Sequence, residues 1–262
     1  MKNIIVENKG NIAYITLNRP EVHNAFDEET IAELTAAFDK IEADHSVRAL
    51  VIKGEGKSFC AGGDLNWMKR TANFTLEENT KDAAGLATML YTLYSVNIPT
   101  IALVHGHVFG GGVGVAAACD IVIADTDTQF ALSEVKLGLI PAVISPYVFR
   151  AMGGRHMKRY AQTAEIFSAE KAEKINLVHE ISKDAAHAET ILKNMLNAIT
   201  HNAPQAMSLA KQLAEVVGEA SLDDDTLLGT AEWIANRRAT DEGKEGIQAF
   251  LEKRSPNWIK GK

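Results

Sequence analysis

The stretch HGHVFGGGVGVAAACD, His105 to Asp120, decides how this chain is read. Gly110, Gly111, Gly112 and Gly114 crowd together, and small apolar residues follow without a break. Such a run predicts a helix that opens at Gly110 and lets another backbone or a ligand come unusually near it. It is not a phosphate cradle, because it holds neither GxGxxG nor GxxxxGK[ST] and no lysine follows to meet a phosphate. Val108 to Ala118 is also too short to cross a bilayer.

On the N-terminal side, Ile12 to Leu17 and Ala49 to Ile52 are short β-branched runs that read as strands. Between them Asp27 can cap a helix whose apolar face is Ile31, Leu34, Phe38 and Ile41. A second round follows: a turn at Cys60 to Asp64, a helix carrying Leu86, Met89, Leu90 and Leu93, and a strand at Thr100 to Val104. Downstream of the glycine helix, Ile121 to Ala124 and Gln129 to Leu132 read as strands, with a helix near Ser145 to Met152 after Pro141. This alternation predicts an α/β fold. After a last strand at Val178 to Ile181, four helices are expected, over Ala185 to Ile199, Pro204 to Val217, Leu222 to Arg237 and Glu242 to Lys253. The chain therefore divides near Thr200 into a body (1–200) and a helical tail (201–262).

The 262 residues suffice for one large domain with a small appendage. Hydrophobic residues make up 46% and charged residues 23%, which excludes wholesale disorder. With 27 basic and 34 acidic residues the net charge is 27 − 34 = −7, which argues against a nucleic-acid partner. Cys60 and Cys119 form no CxxC pair and fit buried thiols in a reducing cytosol. Met1 to Leu17 lacks the apolar core of a signal peptide, so a cytoplasmic protein without membrane attachment is expected. The elbow GxSxG and the zinc motif HExxH are absent, and His105 and His107 find no third ligand, so no metal is expected.

Three segments carry the function: SFCAGGDL (Ser58 to Leu65), the glycine helix, and FALSEVKLGLIPA (Phe130 to Ala142). In this order they resemble the crotonase, or enoyl-CoA hydratase/isomerase, superfamily, and NRPEVHNAF (Asn18 to Phe26) and GIQAFLEKRSPNW (Gly246 to Trp258) extend the resemblance over nearly the whole chain. It implies a crotonase-type ββα spiral core with a C-terminal helical oligomerisation region, assembled as a homotrimer or a dimer of trimers. Moving a proton beside a thioester carbonyl places negative charge on its oxygen, which needs donors already aimed at it. By resemblance the donors are the N–H groups of Ala61 and Gly111, and Glu134 is the catalytic carboxylate. The acyl-CoA, whose coenzyme A is part of the substrate and not a separate cofactor, is expected against His23, Ala25, Ala61, Gly62, Gly63, Asp64, Leu65, Gly110 and Gly114. Phe250 and Lys253, three apart on one predicted helix face, are expected to reach a neighbouring subunit's CoA.

The sequence departs from the two-carboxylate pattern at Gly114, where the first catalytic glutamate of such a hydratase would stand. One carboxylate can still hydrate an enoyl-CoA, or shuttle a proton between the α and γ carbons as a Δ3,Δ2-enoyl-CoA isomerase does. A third reading is an acyl-CoA-binding protein without activity. DLNWMKR (Asp64 to Arg70) and LSEVKLGLIPAVISPYVFRAMG (Leu132 to Gly153) look more like the methylglutaconyl-CoA hydratase branch, which serves leucine or acyclic-terpene breakdown. Lys69, Arg70, Ser145 and Tyr147 are the candidates to meet a second, free carboxylate on such a substrate.

Overall fold

A computed structural model describes residues 1–259. β1 (Ile4–Lys9) and β2 (Ile12–Leu17) form an antiparallel pair that opens the chain, and α1 (Glu28–Ala43) leads to β3 (Ala49–Gly54), which lies parallel to β2. α2 (Leu65–Thr71) and α3 (Leu76–Ser95) precede β4 (Thr100–Val104) and β5 (His107–Phe109). α4 (Gly111–Ala118), β6 (Ile121–Asp125) and β7 (Gln129–Ala131) follow, then α5 (Ser145–Thr163), β8 (Phe167–Ser168), α6 (Ala169–Lys174) and β9 (Glu180–Ser182). α7 (Ala185–His201), α8 (Pro204–Glu219), α9 (Asp224–Ala239) and α10 (Asp241–Leu251) complete the fold.

The strands make a six-stranded sheet in the order β1-β2-β3-β4-β6-β9 and a three-stranded sheet in the order β5-β7-β8. Alternation along β3 shows how the large sheet is buried on both faces. Ala49 and Val51 pack with Ile12, Ile101 and Ile123 against Leu192, Leu196 and Ile199 of α7. Leu50 and Ile52 point the other way, into the main core with Phe38 of α1, Leu90 of α3 and Val113 of α4. The fully apolar α4 is thus enclosed, with a side-chain-free entry at its N-terminus.

The structure adds elements that the hydrophobic pattern hides. β1 alternates Val6, Asn8 and charged residues at a sheet edge and has one buried residue. α2 follows the Cys60–Asp64 turn directly, and α5 runs past Met152 to Thr163 through a break at Gly153, whose φ of 74° is not helical. β8 and α6 were too short to show in the periodicity. The last helix ends at Leu251, not at Lys253: Arg254 N–H bonds to the Ala249 carbonyl at 3.0 Å, and Lys253 takes a left-handed φ of 55° that closes the helix.

Arg19, a residue the motifs do not single out, ties the first two helix starts together. Its guanidinium reaches Asp27 at 3.1 Å and Asp64 at 2.9 Å. Asp27 caps α1 through the Thr30 N–H, and Asp64 caps α2 through the N–H groups of Asn66 (2.8 Å) and Trp67 (3.1 Å). Burial by itself pushes the Asp64 carboxyl up, but the two amides and Arg19 outweigh it and hold it below the usual carboxylate range. A depressed folded value means that this stabilisation is present above the unfolded pKa and is lost as pH falls through the folded one. Asp64→Ala should therefore cost about 1–2 kcal/mol at pH 7 in urea unfolding, with the gap to wild type closing in acid. An unchanged midpoint at pH 7 would contradict this clamp.

Candidate functional site

The site is built where the Cys60–Asp64 turn meets the entry of α4. Main-chain bonds suspend the turn from both sides. On one side Phe59 N–H bonds to the His105 carbonyl (2.9 Å), Cys60 N–H to His107 (3.1 Å) and Phe109 N–H to Cys60 (2.9 Å). On the other, Ala61 N–H bonds to the His23 carbonyl (3.0 Å), Phe26 N–H to Gly62 (2.8 Å) and Asp64 N–H to Phe26 (2.8 Å). Among the described residues the N–H groups of Gly62 and Gly63 find no acceptor. Because Gly63 pairs with Phe26 in a parallel bridge whose bonds come from its two neighbours, its own N–H points away from Phe26.

Ala61 therefore stands at the site but cannot supply the free donor expected of it, since its N–H is already bonded. The Gly111 amide, by contrast, is unbonded among the described residues. Gly110 N–H is bonded to the Ala131 carbonyl and Gly114 N–H closes the first helical turn on Gly110, so the amides of Gly111, Gly112 and Val113 have no intrahelical partner. They make the positive end of α4. Gly110 has φ 49° and ψ −114°, a conformation that a side chain would resist, and a Cβ there would lie 3.2 Å from Glu134 Oε1 and 3.8 Å from the Gly62 Cα. Glu134, Gly110 and the Gly62–Gly63 turn thus converge.

Glu134 opens a single 3-10 turn, Glu134–Leu137, just after β7. Its Oε2 is buried without a hydrogen-bond partner. Burial pushes its carboxyl above the usual range, against a smaller opposing pull from its own main-chain amide. A half-buried acid with an unsatisfied oxygen is costly to keep and is the mark of a working group.

The other walls are apolar. Phe26 lies 3.1 Å from where a Gly111 side chain would begin, and Met68 (2.8 Å) and Trp67 (3.6 Å) crowd the same place at Gly63. At Gly114 a Cβ would meet Ile144 Cγ2 at 2.3 Å and Leu90 Cδ1 at 3.5 Å. Ile144 thus occupies the space that a side chain at 114 would need, and Gly114 is covered by it, not open to a ligand as expected. Trp67, held by its Nε1–H on Asp82 (2.9 Å), and Ile144 fall within the stretches quoted for the family branch, but neither was assigned a place at the site from sequence. A bulky residue ten places from Glu134 gives no local signal of what it will fill.

The remaining residues divide. Leu65 is exposed at the start of α2 beside the turn, whereas the Asp64 side chain is consumed by capping and by Arg19. The Ala25 carbonyl accepts from Arg19 at 2.7 Å. His23 has a left-handed φ of 54° and its Nδ1 lies 3.0 Å from the buried Ser58 hydroxyl, so its carbonyl orients the turn while its ring is exposed. Phe250 is 82% exposed on α10, which packs on α9, and Lys253 lies beyond the helix, so the shared face expected of them is not formed. Arg70 is bound to Glu28 at 2.6 Å, Ser145 donates to the Ala142 carbonyl at 2.7 Å, and Tyr147 is buried edge-on against Tyr94. Lys69 is exposed. Both cysteines are free and buried, with the Cys60 thiol pushed up to about 12 by its burial. Among the described residues no group of His, Cys, Asp or Glu could hold a metal, and no helix is long and apolar enough to cross a membrane.

Unpaired amides from a turn and a helix start, with one desolvated acid beside the Gly110 entry, make a site that could hold an oxyanion next to a proton carrier. The chain belongs to the enoyl-CoA hydratase/isomerase family, whose model matches residues 7–261. It is similar to a Legionella pneumophila structure ascribed to the crotonase group, at 46% identity, TM-score 0.93 and 98% coverage of both chains. It is also similar to the structure of an enoyl-CoA hydratase from Shewanella pealeana, at 42% identity and TM-score 0.95 over 98% of this chain and 96% of that one. A short-chain-enoyl-CoA hydratase of Clostridium acetobutylicum is 32% identical over all of this chain and 99% of its own length. The α/β fold with a crotonase-type core and a helical C-terminal region agrees with the sequence expectation.

The raised Glu134 pKa has a stability consequence. Stability from the folded state's preference for the proton is present below the unfolded carboxylate pKa and is lost as pH rises through the folded value. Once ionised, Glu134 is a charge held against its own burial, and Glu134→Gln removes it. The variant should be at least as stable as wild type at pH 7 in thermal unfolding, with the advantage vanishing near pH 4. A lower melting temperature at pH 7 would mean that the carboxylate has a stabilising partner.

Proposed function

We propose that the chain hydrates the double bond of an α,β-unsaturated acyl-CoA, with the main-chain amides of Gly63 and Gly111 receiving the thioester oxygen. The observation that carries this reading is the half-buried carboxylate of Glu134, with its Oε2 buried and unpartnered, beside the entry of α4. As a base, Glu134 takes a proton from water whose oxygen adds to the β carbon. The electron pair of the double bond moves onto the thioester oxygen, and Glu134 then returns a proton to the α carbon. Two aimed amides lower the energy of that enolate, and losing one such donor typically costs about 3 kcal/mol of transition-state stabilisation. The hydratase names of the relatives support the same direction.

A second reading is favoured by Gly114 and Ile144. With no second carboxylate, Glu134 could instead carry a proton between the γ and α carbons, isomerising a 3-enoyl ester. A non-catalytic acyl-CoA-binding protein is the reading outside catalysis. Within the hydratase reading, a branched ester of the 3-methylglutaconyl type needs a free donor for its second carboxylate. Of the four candidates, Lys69 alone is not already bonded or buried.

A second copy of this chain is the partner we infer for the tail, as a trimer or a dimer of trimers. Leu222 is 89% exposed, and Leu227, Leu228, Ile234 and Phe250 are exposed with it, although α8 and α9 bury no residue of their own in one protomer. A neighbour could bring the Phe250 and Lys253 region to its own CoA.

Loss of ultraviolet absorbance from crotonyl-CoA reports hydration, and gain of absorbance from a 3-enoyl-CoA reports isomerisation. Glu134→Gln should slow turnover about 100- to 10 000-fold while still binding the thioester. Full activity in that variant would assign the proton chemistry to another group.

A further inference from the structure

We propose that Ile144, seated over Gly114, is a specificity-determining residue that fills the acyl end of the site and selects short, uncharged acyl groups. The inference rests on the acyl-CoA reading above. Gly111 and Gly114 lie three apart on α4, hence on one face and about one turn from each other. A thioester oxygen held at Gly111 therefore has its acyl chain beside the Gly114 position.

What it meets there is hydrocarbon. Ile144 is 3% exposed, and its Cγ2 lies so near the Gly114 Cα that even one methyl group at 114 could not be added without displacing it. Leu90, wholly buried in α3, completes the wall behind them. Gly114 and Ile144 thus act as a matched pair, the small residue making room for the large one. The side-chain atoms nearest to the Gly63, Gly111 and Gly114 side-chain positions belong to Met68, Trp67, Phe26, Ile144 and Leu90, all of them carbon. A second carboxylate packed among these carbons would lose its water, a cost that an uncharged acyl group avoids.

One methylene in an apolar pocket changes discrimination by about 10- to 200-fold, so the ratio of kcat/KM between esters is the sensitive readout. The wild-type protein should prefer crotonyl-CoA to 3-methylglutaconyl-CoA by about tenfold or more. Ile144→Ala and the milder Ile144→Val should shift the ratio of 2-octenoyl-CoA to crotonyl-CoA upward, by about tenfold or more in the first. Gly114→Ala should depress turnover of all three esters, and combining it with Ile144→Ala should recover part of that loss, a non-additivity that two independent packing defects would not produce.

Equal use of the glutaconyl ester by wild type would overturn the proposal. So would an unchanged chain-length ratio in folded Ile144→Val and Ile144→Ala. If wild type turns over no enoyl ester, the catalytic reading fails by itself. The dissociation constants of butyryl-, octanoyl- and glutaryl-CoA for wild type and Ile144→Ala then decide the specificity claim by the same ratios.

Discussion

The structure depends on the hydrogen bonds that suspend residues 59–64 between the His105–Phe109 segment and the His23–Phe26 segment. Main-chain groups hold the turn on both sides, so its amides cannot rearrange without breaking bonds that no water replaces inside the core. The bond from Ala61 to the His23 carbonyl matters most, because it consumes that amide, while the neighbouring Gly63 N–H stays unbonded among the described residues. Arg19, by clamping the caps of α1 and α2, fixes the distance between the elements that carry these bonds.

Around this frame the chemistry is economical. On the proposed reading the amides would supply fixed partial charge to an enolate oxygen at no cost in reorganisation. Opposite them stands one carboxylate whose burial makes it a better match for protons near neutral pH. Ile144 covers Gly114, which on the proposed reading leaves Glu134 as the proton carrier.

Much of this was legible in the sequence, for reasons that differ by residue. The strands with β-branched runs, the Asp27-capped helix and the glycine entry of α4 announce themselves through periodicity and local chemistry. Glu134 and Gly111 are marked by their place in an ordered set of motifs. Which amide of the turn is left unbonded was not legible, because Ala61 and Gly63 differ only in which way their amides face, and that depends on a bridge to Phe26 far away in sequence. Arg19 and Ile144 were hidden for a similar reason: their roles arise from partners 45 and 30 positions away, Asp64 and Gly114, which no local pattern connects. Lys253 was drawn into a helix by its periodicity, while the turn that ends α10 follows from backbone bonds.

The central claim is that main-chain amides at Gly63 and Gly111 polarise a bound thioester. The most direct measurement is the ultraviolet and infrared spectrum of a conjugated enoyl-CoA bound to Glu134→Gln, where the donors act without the acid. The absorption band should move to longer wavelength and the thioester carbonyl stretch to lower frequency on binding. A ligand that binds yet keeps the spectrum it has in water would show that those amides do not meet its oxygen.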